Sequence, residues 1–289
     1  MDYEAWLASG ERVSVELPRS GRFQVFCRVA GSGPWLTLLH GFPTSSWDWA
    51  RVAPALEPRF RVLAPDFLGF GDSDKPARHA YSIFEQADLV QTLWRRFGVE
   101  ETTLAGHDYG ATVAQELLAR GREGTLGTEL RAVVLLNSGL YVELARPLLI
   151  QRLLASRILG PLLARAVTER AFARSLSSVI SPAHALGREE LRAQWEVVRR
   201  ANGVAATPRL LRYMAERREH AVRWGEALER TDVPLRLVWG MADPRSGAHI
   251  AEHVGRRVPG ARIVALPDVG HYPQLEVPEA VAAAITEVG

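Results

Sequence analysis

A chain of 289 residues is long enough to bury one substantial hydrophobic core, and its 35 lysines and arginines nearly balance its 33 aspartates and glutamates, so the charge does not indicate a nucleic-acid partner or an anionic membrane. The single cysteine, Cys27, excludes an intramolecular disulfide and a zinc site made of several thiolates. No secretory signal is visible at Met1 and no apolar run approaches the roughly 20 residues of a membrane span, so we expect a cytoplasmic protein, with monomer or homodimer left open.

Strand-like patterns begin with a hairpin and then alternate with helical ones. Strands are predicted at residues 13–17, 23–29, 35–39, 62–64, 103–105, 132–136, 235–239 and 263–266. Helices are predicted near residues 83–97, 111–120 and 249–257 and from about 279. The third strand is a continuous apolar run, which is typical of a buried parallel strand. The alternation favours an α/β fold, with a mostly parallel eight-stranded sheet and helices on both faces.

The alternation stops between residues 139 and 231, a stretch far too long for an ordinary connection. This stretch is rich in leucine, alanine and arginine with helical spacing, so we predict a helical cap inserted into a core of residues 1–138 and 232–289. An apolar stripe at residues 148–163 also suits a helix on a membrane surface. The arginines that interrupt it favour a lid packed on the core.

The sequence Gly106-His107-Asp108-Tyr109-Gly110 lies between a predicted strand and a predicted helix. Glycines two residues either side of a nucleophile permit the sharp turn that lifts its side chain above the sheet, and here the central residue is Asp108. An aspartate at this place is also a common helix N-cap, which is the simpler interpretation. The order of strand, turn and helix favours the nucleophile.

The turn His40-Gly41-Phe42-Pro43 follows the third predicted strand. On its own it is compatible with an ordinary glycine-proline turn. Next to a nucleophile, however, the backbone N–H groups of Phe42 and Tyr109 are placed to stabilise an oxyanion.

Two more polar residues follow predicted strands. Asp243 comes after the seventh strand and His271 after the eighth, although an aspartate before a proline also commonly starts a turn. The chain order of nucleophile, acid and base is the order found in triads of this topology. We therefore predict a catalytic triad of Asp108, Asp243 and His271.

These residues resemble the α/β-hydrolase superfamily and, within it, the Asp-nucleophile branch of epoxide hydrolases and haloalkane dehalogenases. Residues 66–76 resemble the strand-loop signature that precedes the elbow in that family. The mesoderm-specific transcript protein group is more similar still, through residues 81–87, 107–110, 113–118 and 271–276. The resemblance covers nearly the whole chain and implies an α/β-hydrolase fold.

A carboxylate nucleophile suits attack on a saturated carbon. Asp108 would form an alkyl-enzyme ester, and water activated by His271 would hydrolyse it while Asp243 orients the imidazole. An aspartate is already ionised near neutral pH, so the base acts in the second half-reaction. No metal or organic cofactor is required.

The resemblance implies different leaving-group donors for the two enzyme families. Epoxide hydrolases place cap tyrosines over the nucleophile, and Tyr213 lies about where one of them lies, unless it merely packs on the inner face of the cap. The second tyrosine is missing, with Tyr141 in its general neighbourhood. Dehalogenases use N–H donors at positions that are Tyr109 and Phe42 here, so the usual donors are absent. We therefore favour an epoxide hydrolase that forms a vicinal diol.

The alternative is a haloalkane dehalogenase that releases an alcohol and a halide, with a tryptophan as donor. A non-catalytic ligand receptor and a cofactor-free oxygenase also share such a fold, but a complete triad argues against a receptor. We expect a pocket for a small apolar substrate, lined by His40, Trp47, Tyr141 and Trp195.

Overall fold

The computed structural model describes residues 1–288 and contains one eight-stranded sheet. Its strands are β1 Glu11–Leu17, β2 Gly21–Ala30, β3 Trp35–Leu39, β4 Arg61–Pro65, β5 Glu101–His107, β6 Glu129–Leu136, β7 Leu235–Gly240 and β8 Arg262–Leu266. They lie in the order β1-β2-β4-β3-β5-β6-β7-β8. β2 pairs antiparallel with β1 and with β4, and the other neighbouring strands pair parallel. The predicted mostly parallel sheet is confirmed.

Helices lie on both faces of this sheet and in one long insertion. They are α1 Tyr3–Ala8, α2 Ala53–Leu56, α3 Ile83–Phe97, α4 Tyr109–Arg122, α5 Leu149–Leu154, α6 Leu159–Arg165, α7 Glu169–Ser177, α8 Arg188–Arg199, α9 Gly203–Leu210, α10 Tyr213–Glu219, α11 Ala221–Glu229, α12 Ala248–Arg257, α13 Pro273–Glu276 and α14 Pro278–Thr286. The sequence did not indicate the short helices α1, α2 and α13.

Alternate side chains of the central strands contribute to two apolar layers. On β5, Leu104 packs in the layer that contains α3, α4 and α12, whereas Ala105 packs in the layer that contains α1, α2 and α14. β6 repeats the pattern, with Val133 in the first layer and Val134 in the second. Because both faces of these strands are buried, apolar residues occupy consecutive positions, as at Leu104-Ala105 of β5 and at residues 132–136 of β6.

The predicted cap, residues 139–231, forms helices α5–α11 between β6 and β7, and we call it the cap segment. Phe172 and Leu176 of α7 pack in one apolar cluster with Tyr272 and Leu275, which follow β8. This contact holds the cap segment over the ends of the parallel strands.

The apolar stripe at residues 148–163 packs inward only in part. Leu154 is buried, but Leu149, Ile158 and Leu162 are 70%, 79% and 61% exposed. The stripe is divided between two short helices, α5 and α6, and does not form one continuous apolar face. Its outward side chains are exposed to solvent. Within residues 1–288, no helix combines the length and the apolar character needed to cross a membrane.

Candidate active site

Asp108 occupies the turn between β5 and α4 with φ 48° and ψ −105°, a conformation that residues with side chains rarely adopt. Flanking glycines make the turn possible, since a Cβ at Gly106 would lie 2.8 Å from the carbonyl oxygen of Gly110. The Asp108 side chain makes no capping hydrogen bond to α4, so the N-cap interpretation does not describe it. Its Oδ2 accepts a 3.1 Å hydrogen bond from the backbone N–H of Phe42.

Two backbone N–H groups flank this carboxylate. That of Phe42 comes from the turn after β3, and that of Tyr109 begins the 14-residue helix α4. The Tyr109 N–H has no hydrogen-bond acceptor within residues 1–288, and the positive end of the helix dipole reinforces it. Such a pair can hold an oxygen that becomes negatively charged during ester hydrolysis.

His271 lies between two carboxylates. Its Nδ1 is 2.7 Å from Oδ2 of Asp243, and its Nε2 is 3.8 Å from Oδ1 of Asp108. Asp243 also accepts hydrogen bonds from the Ser246 hydroxyl at 2.6 Å and from Nδ2 of Asn137 at 3.1 Å. The structure therefore brings together all three predicted triad residues at the carboxyl ends of β5, β7 and β8.

The charges of this group shift its pKa values. Burial lowers the pKa of His271, but the charge and hydrogen bond of Asp243 and the charge of Asp108 outweigh burial and raise it to about 9. Burial raises the pKa of Asp243, but the His271 charge and the hydrogen bonds that Asp243 accepts outweigh burial and hold it below its usual range. His271 is therefore an imidazolium at neutral pH as long as Asp108 carries its negative charge. Neutralising Asp108 would remove one of the charges that raise the His271 pKa.

Residues that the sequence did not single out hold this arrangement in place. Asn137, directly after β6, donates to the Gly240 carbonyl at 2.9 Å and accepts from its N–H at 2.7 Å, which fixes the end of β7. Glu276 accepts backbone N–H groups of Gly270, Ser181 and Tyr272 at 2.7, 3.0 and 3.1 Å. It thereby holds the loop that carries His271. The sequence does contain a signal for Asn137, because a polar residue directly after a buried strand often belongs to the site. No comparable local pattern marks Glu276.

His40 does not line a pocket, contrary to the prediction. Its Nε2 accepts from the Phe67 N–H at 3.0 Å, and its Nδ1 is 2.8 Å from the Gly41 carbonyl. The ring is fully buried between Phe67 and Phe70, and burial lowers its pKa. Both ring nitrogens are thus hydrogen-bonded to backbone groups, and through Gly41 the ring stabilises the turn that carries Phe42.

Trp47 and Tyr141 also lie away from the cavity described below, so their predicted role is wrong. The Trp47 indole donates to the Met1 carbonyl at 3.1 Å and packs on Tyr3. The Tyr141 hydroxyl donates to Glu229 at 3.1 Å, and its ring packs on His253. Both lie in segments that follow strands, β3 and β6, but their side chains turn toward neighbouring helices.

A cavity of about 820 Å³ extends from Asp108 and His271 into the cap segment, a size typical of small-molecule sites. Tyr213, the first residue of α10, lines it and is 6% exposed. Burial and the Asp108 charge both raise the pKa of Tyr213, so its phenol stays protonated and can donate. Trp195 lines the same cavity and packs on Phe172.

A family model described as alpha/beta hydrolase fold matches residues 34–278. LipZ from Mycobacterium tuberculosis is 41% identical over 262 residues, which cover 90% of each chain. The mesoderm-specific transcript protein of Mus musculus is 40% identical over 257 residues, 86% of this chain and 77% of the mouse protein.

Among solved structures, the epoxide hydrolase CorEH superposes with a TM-score of 0.78 at 20% identity, and covers 96% of this chain and 98% of CorEH. The haloalkane dehalogenase DbeA from Bradyrhizobium elkani superposes with a TM-score of 0.79 at 22% identity and the same two coverages, 96% and 98%. At these identities the structural likeness shows the fold and leaves the reaction open.

Proposed function

This chain belongs to the α/β-hydrolase family, and we propose that it is an epoxide hydrolase that works through an ester of Asp108. The observation that carries the proposal is the position of Tyr213. Its phenol lines the cavity that contains Asp108 and His271, and it is close enough for the Asp108 charge to raise its pKa. A protonated phenol at this place supplies the proton that an opening epoxide requires.

In the first half-reaction, a carboxylate oxygen of Asp108 attacks an epoxide carbon and the ring C–O bond breaks. The electron pair of that bond goes to the oxygen, which takes the Tyr213 proton. The products are a hydroxyalkyl ester and a phenolate. Because the ester carries no charge, the pKa of His271 falls, and its proton returns to the phenolate through water in the cavity.

In the second half-reaction, the neutral imidazole of His271 takes a proton from water, and the hydroxide attacks the ester carbonyl. The N–H groups of Phe42 and Tyr109 hold the oxyanion. Collapse of this intermediate breaks the bond to the alkyl oxygen, which takes the imidazolium proton and leaves as the diol. The Asp108 carboxyl then returns its proton to His271, so the starting state is restored.

Haloalkane dehalogenation is the second candidate, and the cavity position of Trp195 favours it, since an indole N–H can hold a departing halide. Tyr213 supports the epoxide reaction more strongly, because its ring packs on Tyr109, next to the nucleophile, whereas Trp195 packs on Phe172 of the cap segment. A non-catalytic receptor would not need a histidine at 2.7 Å from one carboxylate, that of the buried Asp243, and at 3.8 Å from a second, that of Asp108.

The test is to trap the ester. His271→Ala is incubated with 1,2-epoxyoctane or with 1-bromooctane, and the intact protein is weighed by mass spectrometry. We expect a gain equal to the whole epoxide, located at Asp108 by peptide mapping, because the base for the second half-reaction is missing. A gain of one octyl group from the bromide alone would favour the dehalogenase instead.

Two variants control this experiment. The double variant His271→Ala, Asp108→Asn should form no adduct, and His253→Ala, which removes a histidine outside the cavity, should turn substrate over without accumulating one. Tyr213→Phe should slow ester formation from the epoxide by about 10²- to 10⁴-fold and leave the bromide reaction unchanged. Absence of any adduct at Asp108 across a panel of epoxides and haloalkanes would overturn the proposal.

A further inference from the structure

The cavity is unusually rich in arginine. Its arginines are Arg146, Arg152, Arg174, Arg217, Arg218 and Arg245. Within residues 1–288, Asp108 is the one acidic residue that lines it, and none of the six guanidinium groups lies within 4.0 Å of a carboxylate. Elsewhere the chain commonly pairs its arginines, as in the contacts of Arg120 and Arg223 with the buried Glu116. The cavity arginines therefore form a separate, uncompensated group.

Arg217 and Arg245 are the two of this group that are partly buried. Nη2 of Arg217 and Nε of Arg245 are inaccessible to solvent and have no hydrogen-bond partner among residues 1–288. No other nitrogen of either guanidinium donates to a described residue either. Buried N–H donors are normally paired, and an unpaired charged donor is costly, so an acceptor in the cavity would stabilise both side chains.

Both arginines come from segments that also carry residues of the site. Arg217 is one helical turn after Tyr213 on α10, and both residues line the same cavity. Arg245 follows the triad acid by two residues, and its backbone N–H donates to Oδ1 of Asp243 at 2.7 Å. An acceptor shared by the two arginines would therefore lie in the same cavity as Asp108 and His271.

Much of the remaining lining consists of apolar side chains of the cap segment. Side chains from several of its helices contribute, among them Leu154, Leu163, Leu176, Val198 and Met214. A ligand that fits both regions needs an anionic end and an apolar body. A planar guanidinium donates two parallel hydrogen bonds to a carboxylate or a phosphate, which makes these the matching oxyanions.

We propose that the substrate carries a carboxylate or phosphate group on an apolar chain, and that Arg217 and Arg245 bind this group beside Asp108. The proposal deepens the proposed function, because it names the class of substrate for the same site. The positive arginines also offset the repulsion between the ionised Asp108 and an anionic substrate. A neutral epoxide or haloalkane would leave both guanidinium groups without an anionic partner.

Direct binding tests this proposal without any chemical step. Octanoate, octyl phosphate and octanol share one apolar chain, and their affinities are measured by isothermal titration calorimetry on the full chain. We expect at least one of the two anions to bind tenfold or more tightly than octanol, and the comparison between them identifies the oxyanion. Raising the salt concentration should weaken the anion and leave octanol unchanged.

Arg217→Met and Arg245→Met should each reduce the affinity for the anion tenfold or more while octanol binding is preserved, since methionine keeps much of the apolar side chain. Arg192→Met is the matched control, because Arg192 is an exposed arginine of the cap segment that does not line the cavity. Preserved octanol binding also reports that each variant is folded.

Equal affinities for octanol and both anions would overturn the proposal, and so would an anion preference that survives in both variants or that is lost equally in Arg192→Met. These outcomes are independent of the ester trap. An anion preference without an adduct at Asp108 would refute the epoxide hydrolase alone, and an adduct without an anion preference would refute the anionic substrate alone.

Discussion

Replacing Asp108 by asparagine should lower the pKa of His271 from about 9 to between about 6 and 8. Asparagine keeps the size of the side chain and an oxygen that can accept the Phe42 N–H, so the change removes a charge with little effect on packing. The variant imitates the neutral ester of the proposed intermediate. It therefore asks whether His271 becomes a base at the stage where the mechanism needs one.

The magnitude follows from the distance between the two charges. Unit charges 3.8 Å apart attract by about 4 kcal/mol at an effective dielectric constant of about 20 and by about 1 kcal/mol in water. The side chains of His271 and Asp108 are 12% and 18% exposed, so the interaction falls between these limits. Since about 1.4 kcal/mol corresponds to one pKa unit, the shift is about 1 to 3 units.

The assay is an NMR titration of the imidazole resonances of His271, assigned with a His271→Gln sample. Asp268→Asn is the control, because Asp268 is an exposed carboxylate three residues away on the same loop that does not contribute to the His271 pKa. If Asp108→Asn leaves the His271 pKa where it is in the wild type, or if both variants shift it equally, the ion-pair argument is refuted.

Two further predictions concern stability. Asn137→Ala should lower the free energy of unfolding in urea by about 2 to 4 kcal/mol, because it leaves the buried N–H of Gly240 unpaired and removes one of the two donors to the Gly240 carbonyl. A loss below about 0.5 kcal/mol would contradict this role. The pair of His271 and Asp243 should stabilise the fold most between about pH 4 and pH 6.5. The lowered pKa of Asp243 gives stability above its ordinary 3.8 that is lost as pH falls, and the raised pKa of His271 gives stability below 6.5 that is lost as pH rises through about 9. Thermal unfolding of wild type and Asp243→Asn across pH should show the largest difference in that window, and a constant difference would exclude the pairing.

Strand positions and the order of the triad could be predicted because they depend on local rules. Buried parallel strands are continuous apolar runs, and the carboxyl ends of such strands meet at one edge of the sheet. Asp108, Asp243 and His271 each follow a predicted strand, so their meeting could be inferred from their motifs and their order along the chain. The predicted pocket positions of Trp47 and Tyr141 were different, because the place of a residue in the chain does not tell which way its side chain turns.

Other parts of the site depend on contacts between distant segments. Glu276 binds the N–H of Ser181, 95 residues away in the cap segment, and no local pattern predicts that pairing. The unpaired state of Arg217 and Arg245 is likewise invisible in a sequence with 33 acidic residues that could have paired with them. The apolar stripe at residues 148–163 has helical spacing, but spacing does not tell which of its side chains the core covers.

The backbone strain at position 108 limits how the chain can evolve toward greater stability. A residue with a side chain at φ 48° and ψ −105° costs on the order of 1–3 kcal/mol, a sizeable part of the net stability of a typical domain. Selection or protein engineering cannot recover this energy at the elbow itself, because a relaxed turn would no longer present the carboxylate. Stabilising substitutions must therefore lie elsewhere in the chain. A homologue in which this turn adopts an unstrained conformation would gain stability but would lose the proposed nucleophile.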